Sequence, residues 1–298
     1  MPTVADTPPL GTHLSGARRR RWWRWGAAVV ACGLVAVGAT LLVRQLGRSI
    51  QPTGCTATVD RASYPLGISQ AANAATIAAV AKRDGIEDHA VTVALAAALQ
   101  ESKLENLAHG DLDSVGLFQQ RPSEGWGTPS QLSVPSYAAS AFYRALVQVP
   151  GWASLPVTQA AQAVQHSAAP DAYAVWETEA RDLAQVFTGE VPNGLACSFP
   201  VPSQVTASTS LPSALSSELG PPTVGTPVAP ARGWTVASWL VAYAYSYRIT
   251  AVSFAGMQWT PSSGKWQSSP PPQSQVQLTR AGLPPGQVSM ARGGPPGT

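Results

Sequence analysis

The sequence predicts a mainly α-helical protein: one N-terminal transmembrane helix, a helical domain, and a small α+β module at the C-terminus. Three observations predict it. An uncharged apolar run fills residues 26–43. Between Cys55 and Cys197, alanine-rich stretches with helical periodicity follow one another, and no convincing alternating strand interrupts them. Beyond a segment rich in Pro, Ser, Thr and Gly, one helical pattern leads into short apolar runs separated by turn residues.

The run GAAVVACGLVAVGATLLV would measure roughly 27 Å as a helix, enough to cross the apolar part of a bilayer. ARRRRWWRW precedes it. Its arginines mark the cytoplasmic side, and Trp22, Trp23 and Trp25 suit the headgroup region. A cleaved signal peptide is the alternative, with Val37-Gly38-Ala39 as the small-residue site. The polar stretch of about 25 residues ahead of the run is long for one. The expectation is a single-pass plasma-membrane anchor, N-terminus cytoplasmic and the rest extracytoplasmic. One span does not make a transporter, which needs several helices around a pathway.

The net charge of +3 is unevenly placed. Residues 1–48 hold seven Arg against one acid, a net of +6, and the remainder holds 12 basic against 15 acidic residues, a net of −3. A nucleic-acid binder carries its positive charge on the folded part, so nucleic acid is not an expected partner. Charged residues make up 12% of the chain, about half the usual share. Cys32 lies in the span and reads as an apolar filler. Cys55 and Cys197 lie outside, where disulfides persist, and bracket a domain-sized segment. A disulfide is the preferred reading, and two free thiols are the alternative.

The boundaries then read as a basic tail over 1–25, the anchor over 26–43 and the helical domain over 55–198. A flexible linker over 199–233 with room for one short helix at Ser213–Leu219, the α+β module over 234–280 and a disordered tail over 281–298 follow. Within the helical domain, Ile68–Arg83 is alanine-rich and amphipathic. Asp88 can cap a helix from His89 to about Lys103, which is apolar on every side from Ala90 to Leu99, as in a helix at a domain centre. Ser136–Val149 is a third helix, closed by Pro150-Gly151. A fourth starts at Thr158 and stops before Pro170, and a fifth follows Asp171 and closes at Gly189.

The buried second helix ends on Glu101, and a loop holding Asp111 and Asp113 follows. A carboxyl at the buried, negative end of a helix sits where charge is disfavoured. A carboxyl that keeps its proton can donate it to a leaving glycosidic oxygen. Asp111 or Asp113 could orient a water or stabilise positive charge on a sugar. Gln119 and Gln120 can hydrogen-bond hydroxyl or N-acetyl groups, and Trp126 can stack on a sugar face. Taken singly, each residue has a plainer reading: a solvated helix end, and a GDLDS turn capped by Asp. The D-x-D start of a calcium loop lacks that motif's glycine and distal glutamate. No pair of ligating side chains has metal spacing, so neither metal nor cofactor is expected.

Together these residues resemble a family. Gln100-Glu101-Ser102, Ser114-Val115-Gly116-Leu117-Phe118-Gln119 and Pro122 are similar to the signature of soluble lytic transglycosylases and goose-type lysozymes, the lysozyme-like superfamily. The run from Gln100 to Thr128 resembles still more closely a group of membrane-anchored actinobacterial proteins with QES and GLFQQRPS-x-GWGT. The resemblance covers about 60–190 and implies a lysozyme-like helical domain. It implies Glu101 as the catalytic acid, followed by Ser102, and a groove lined by Gly116, Leu117 and Gln119. The superfamily's third motif, A-Y-N-A-G, corresponds to Ala163-Val164-Gln165-His166-Ser167, with Val for Tyr and Gln for Asn. Gln165 keeps donor and acceptor, and Tyr173 lies a few residues on.

The C-terminal stretch from Gly233 to Trp266 resembles part of a secreted domain related to zinc peptidases. The D-H-x-H of that domain corresponds here to Ser274-Gln275-Val276-Gln277, and glutamine is a poor zinc ligand. An unrelated small fold is the alternative. Trp234, Trp239, Trp259 and Trp266 read as core before they read as a glycan patch. The expected function is an outward-facing peptidoglycan muramidase, lytic transglycosylase or lysozyme, acting on glycan strands. An inactive cell-wall-binding scaffold is the alternative. Asp111 or Asp113 facing Glu101 at about 6.5–9.5 Å would mark the hydrolytic route.

Overall fold

The computed structural model describes residues 53–221 and 224–282. All belong to one compact unit that begins at Pro52. The architecture is α+β with two antiparallel sheets, not mainly α with a lysozyme-like helical domain. The expected anchor over 26–43 lies outside the described residues, and among those described no helix is long and apolar enough to cross a membrane.

The first sheet lies inside the segment expected to be helical throughout. Strands β1 (Gly54–Val59), β2 (Ala62–Leu66) and β3 (Leu195–Ser198) run in the order β2-β1-β3. Every second residue of β1 is buried, with Cys55, Ala57 and Val59 facing the core. Cys55 and Cys197 are direct cross-strand partners and form a disulfide.

Helices α1 (Ile68–Arg83) and α2 (Asp88–Ser102) follow. Asp88 is the first helical residue of α2, not its cap, and pairs with Lys82 at 2.6 Å. From Ala90 to Leu99 α2 is buried on all sides, because alanines let neighbouring helices approach from every direction. A single turn α3 (Pro129–Leu132) leads into α4 (Pro135–Leu146). Helix α5 (Val157–Gln165) ends at His166 in the left-handed region, short of the Pro170 that the sequence suggested. Asp171 opens a turn, not a helix: a 3-10 segment covers Ala174–Trp176 before α6 (Glu177–Thr188). Helix α2 packs on α5 and α6.

Residues 199–233, expected as a flexible linker with a short helix at Ser213–Leu219, do carry that helix as α7 (Leu211–Leu219), but it packs on α1, and the stretch also holds the start of α8 (Pro230–Ala242), which packs on α1, α6 and β3. Gly189 closes α6 with φ 84°, and a Cβ there would lie 2.1 Å from Ala231 O. Only glycine allows α8 to sit this close. The short α9 (Ala244–Tyr247) precedes a sheet of β4 (Ile249–Phe254), β5 (Met257–Thr260), β6 (Lys265–Ser268) and β7 (Gln277–Arg280), in the order β6-β5-β4-β7. Trp234, Trp239 and Trp259 are buried core residues. Gln277 opens β7 and is exposed, with Gln275 bridging to Pro227. The tail from residue 283 lies outside the described residues.

Candidate active site

Helix α2 delivers Glu101 through an unusual ending. Lys103 and Leu104 both adopt left-handed backbone, φ 56° and 62°. Such conformations cost non-glycine residues about 1 kcal/mol or more each, and persist only when neighbours hold them. Helix α1 does the holding: Gln70 Nε2 donates to Lys103 O at 2.8 Å, and buried Asn73 Nδ2 to Leu104 O at 2.7 Å. The chain therefore turns away sharply just after Glu101.

A groove of about 670 Å³ opens there, lined by Glu101, Gln119, Gln120, Arg121, Glu124, Trp126, Gln148 and the 163–167 segment. Residues 115–120 form a tight hairpin, with Val115 and Gln120 exchanging backbone bonds at 3.0 and 3.2 Å. Its inner side chains anchor it: Leu117 is fully buried, and Phe118 stacks on Phe142 at 4.7 Å. Gln119 and Gln120 are left at the groove. Gln120 is 2% exposed, donates to Ala138 O at 3.2 Å, and leaves its Oε1 without a partner. Gln165 Nε2 donates to Phe118 O at 2.8 Å and ties the end of α5 to the hairpin.

Tyr173 completes the arrangement. Its ring is fully buried and its hydroxyl donates to Glu101 Oε1 at 2.8 Å. Burial first, and the Glu101 carboxylate second, push the phenol well above its usual pKa. It therefore remains a donor at any physiological pH.

Several residues expected at the site serve the scaffold instead. Ser102 is buried and donates to Leu117 O at 2.7 Å, fastening the helix end to the hairpin. Gly116 has φ 80°, and a Cβ there would lie 2.4 Å from Leu132 O, so its role is close packing. Neither Gly116 nor Leu117 lines the groove. The two aspartates do not either. Asp111 is exposed. Asp113 accepts from Ser123 N at 2.8 Å, Ser123 Oγ at 3.0 Å and Arg121 Nε at 3.0 Å. The Ser123 N–H, with Arg121 behind it, holds the Asp113 carboxyl below its ordinary pKa. The groove's second carboxylate is Glu124, which no motif marked; it is 60% exposed and pairs with Arg121 at 3.3 Å.

Among the described residues no three His, Cys, Asp or Glu side chains gather as metal ligands would. No model of a known protein family matches the chain, and no curated protein matches it.

Proposed function

We propose that the protein is a membrane-anchored, extracytoplasmic peptidoglycan muramidase that cleaves the β-1,4 bond between N-acetylmuramic acid and N-acetylglucosamine. The observation that carries this reading is the Glu101 carboxyl on a groove wall, bonded to a buried tyrosine and sharing that wall with Gln119, Gln120, Trp126 and Gln165. Tyr173 occupies Oε1, which leaves Oε2 for substrate. The residues at Gln100–Thr128 that resemble lytic transglycosylases and goose-type lysozymes add to it, as does the uncharged run at 26–43 behind its arginines.

The one-carboxyl, transglycosylase route fits best, since neither Asp111 nor Asp113 lines the groove. In that route Glu101 gives its proton to the bridging oxygen as the C1–O bond breaks. The resulting carboxylate takes the proton of the same sugar's C6 hydroxyl as O6 bonds to C1. The product is a 1,6-anhydro end, no water is consumed, and the carboxyl regains its proton. Gln119 and Gln165 would position acetamido or hydroxyl groups, and Trp126 a sugar face. A hydrolytic outcome has one observation in its favour: Glu124 in the groove lining could orient a water.

The test is turnover of purified peptidoglycan by the full chain in detergent, with products identified by mass. Anhydro ends, lost by roughly 10²–10⁴-fold in Glu101→Gln, are the expected result. Reducing ends that depend on Glu124 would mean the hydrolytic route. Binding without release, unchanged in Glu101→Gln, would leave a wall-binding scaffold.

A further inference from the structure

Tyr173 belongs to none of the regular helices, yet its phenol meets Glu101 at 2.8 Å. What fixes that turn is Trp176. Residues Ala174–Trp176 form a 3-10 segment, and Trp176 N bonds to Tyr173 O at 3.1 Å. A 3-10 turn has three residues, so side chains at i and i+3 project from one face. Tyr173 and Trp176 have that spacing and meet consecutive residues of α2. Trp176 Nε1 donates to Gln100 Oε1 at 2.8 Å, beside the Tyr173–Glu101 bond. Lys103 Nζ lies 4.0 Å above the Trp176 ring, within reach of a cation–π contact. The indole is thus gripped by the residue before Glu101 and by the residue two after it.

We propose that Trp176 is a positioning residue for Glu101, acting through Tyr173: its bond to Gln100 sets the register in which the Tyr173 hydroxyl reaches the carboxyl. The inference rests on the reading of Glu101 as the acid/base. A Trp176 that merely filled space would be indifferent to loss of its N–H. One that sets register would not be, since displacement of about 1 Å at a reacting group costs up to about a hundredfold in rate.

The experiment compares full-chain wild type, Trp176→Phe, Tyr173→Phe and the double variant for turnover of purified peptidoglycan across pH. Trp176→Phe keeps a ring beneath Lys103 and removes only the N–H donor and some bulk. Gln100→Leu removes the acceptor from the other side, and serves if Trp176→Phe does not fold. The expected result is a fall in kcat of roughly tenfold or more, KM little changed, and a pH–rate profile displaced in the same direction as that of Tyr173→Phe. The double variant should be no slower than Tyr173→Phe alone, because the two residues act through one bond. Unchanged kcat and profile, or effects that multiply in the double variant, overturn the role of Trp176 while leaving Glu101 in place. Absence of any Glu101-dependent turnover in the wild type overturns both readings.

Discussion

Glu101 and Ser102 are adjacent and serve opposite ends: the carboxyl meets the groove, and the hydroxyl disappears into the scaffold beneath it. The same division runs through the neighbouring loop, where Asp113 spends its oxygens on Ser123 and Arg121 while Asp111 stands in solvent. Rates should separate them. A hydrogen bond to a charged group is worth about 1.5–3 kcal/mol, so Tyr173→Phe should slow turnover roughly ten- to a hundredfold. Asp111→Asn should stay within about twofold of wild type, as for an exposed residue with no task. Equal losses in the two variants, measured on the same peptidoglycan, would contradict the placement of both residues. At this scale the sequence was informative where a residue type and its motif spacing coincide, as for Glu101 and Gln119, which line the groove; Gln165 lines it too, although the motif has Asn at its place. It said little about which side of a loop a charge faces, hence the two aspartates. Glu124 and Gln148 also reach the groove, and no motif residue marks them.

Among the elements, the helices were legible and the first sheet was not. Five alanine-rich or capped segments carry strong helical patterns, and their ends drifted by a few residues where turns such as 171–176 intervene. Strand β1 does alternate, but through Cys, Ala and Val against Thr, a faint contrast over six residues. Strand β2 contains Pro65, which sits on the outer strand of the sheet, where no further strand needs its missing N–H. Strand β3 is four residues long and finds its place through long-range partners: β1, to which it is also joined by the disulfide, helix α8 and the second sheet. It is an edge strand whose carbonyls are covered by side chains. Trp266 Nε1 donates to Leu195 O at 2.8 Å, and Trp259 Nε1 to Cys197 O at 3.0 Å. Those two tryptophans are themselves cross-strand partners on β5 and β6. Trp259→Phe keeps most of the apolar bulk and strips a buried carbonyl of its donor. It should cost about 1–3 kcal/mol of unfolding free energy in a denaturant titration. A loss near zero would show that water reaches Cys197 O.

The molecule as a whole is knit across the 199–233 stretch, which from composition alone reads as a linker. Glu218 on α7 is the clearest stitch. Its Oε2 accepts from Trp239 Nε1 on α8 and from Thr76 Oγ1 on α1, each at 2.8 Å. Burial raises the Glu218 pKa above its ordinary 4.5, and the donors and Arg83 only partly offset this. A raised acid stabilises the fold fully below the unfolded-state value, and that contribution is lost as pH rises through the folded-state value. At pH 7 the carboxylate is therefore a burden. Glu218→Gln keeps an acceptor without the charge, so its melting temperature should exceed the wild type's at pH 7. The advantage should shrink toward pH 4, and one that grew on acidification would reverse the assignment. The Cys55–Cys197 bond has a different consequence. It makes a covalent ring of residues 55–197, and Glu101, Gln119, Trp126, Gln165, Tyr173 and Trp176 all lie within it. A protease that nicks the exposed 106–112 stretch once opens that ring without detaching anything. The cut protein keeps its full mass on a gel until a thiol is added, and only then falls into two pieces.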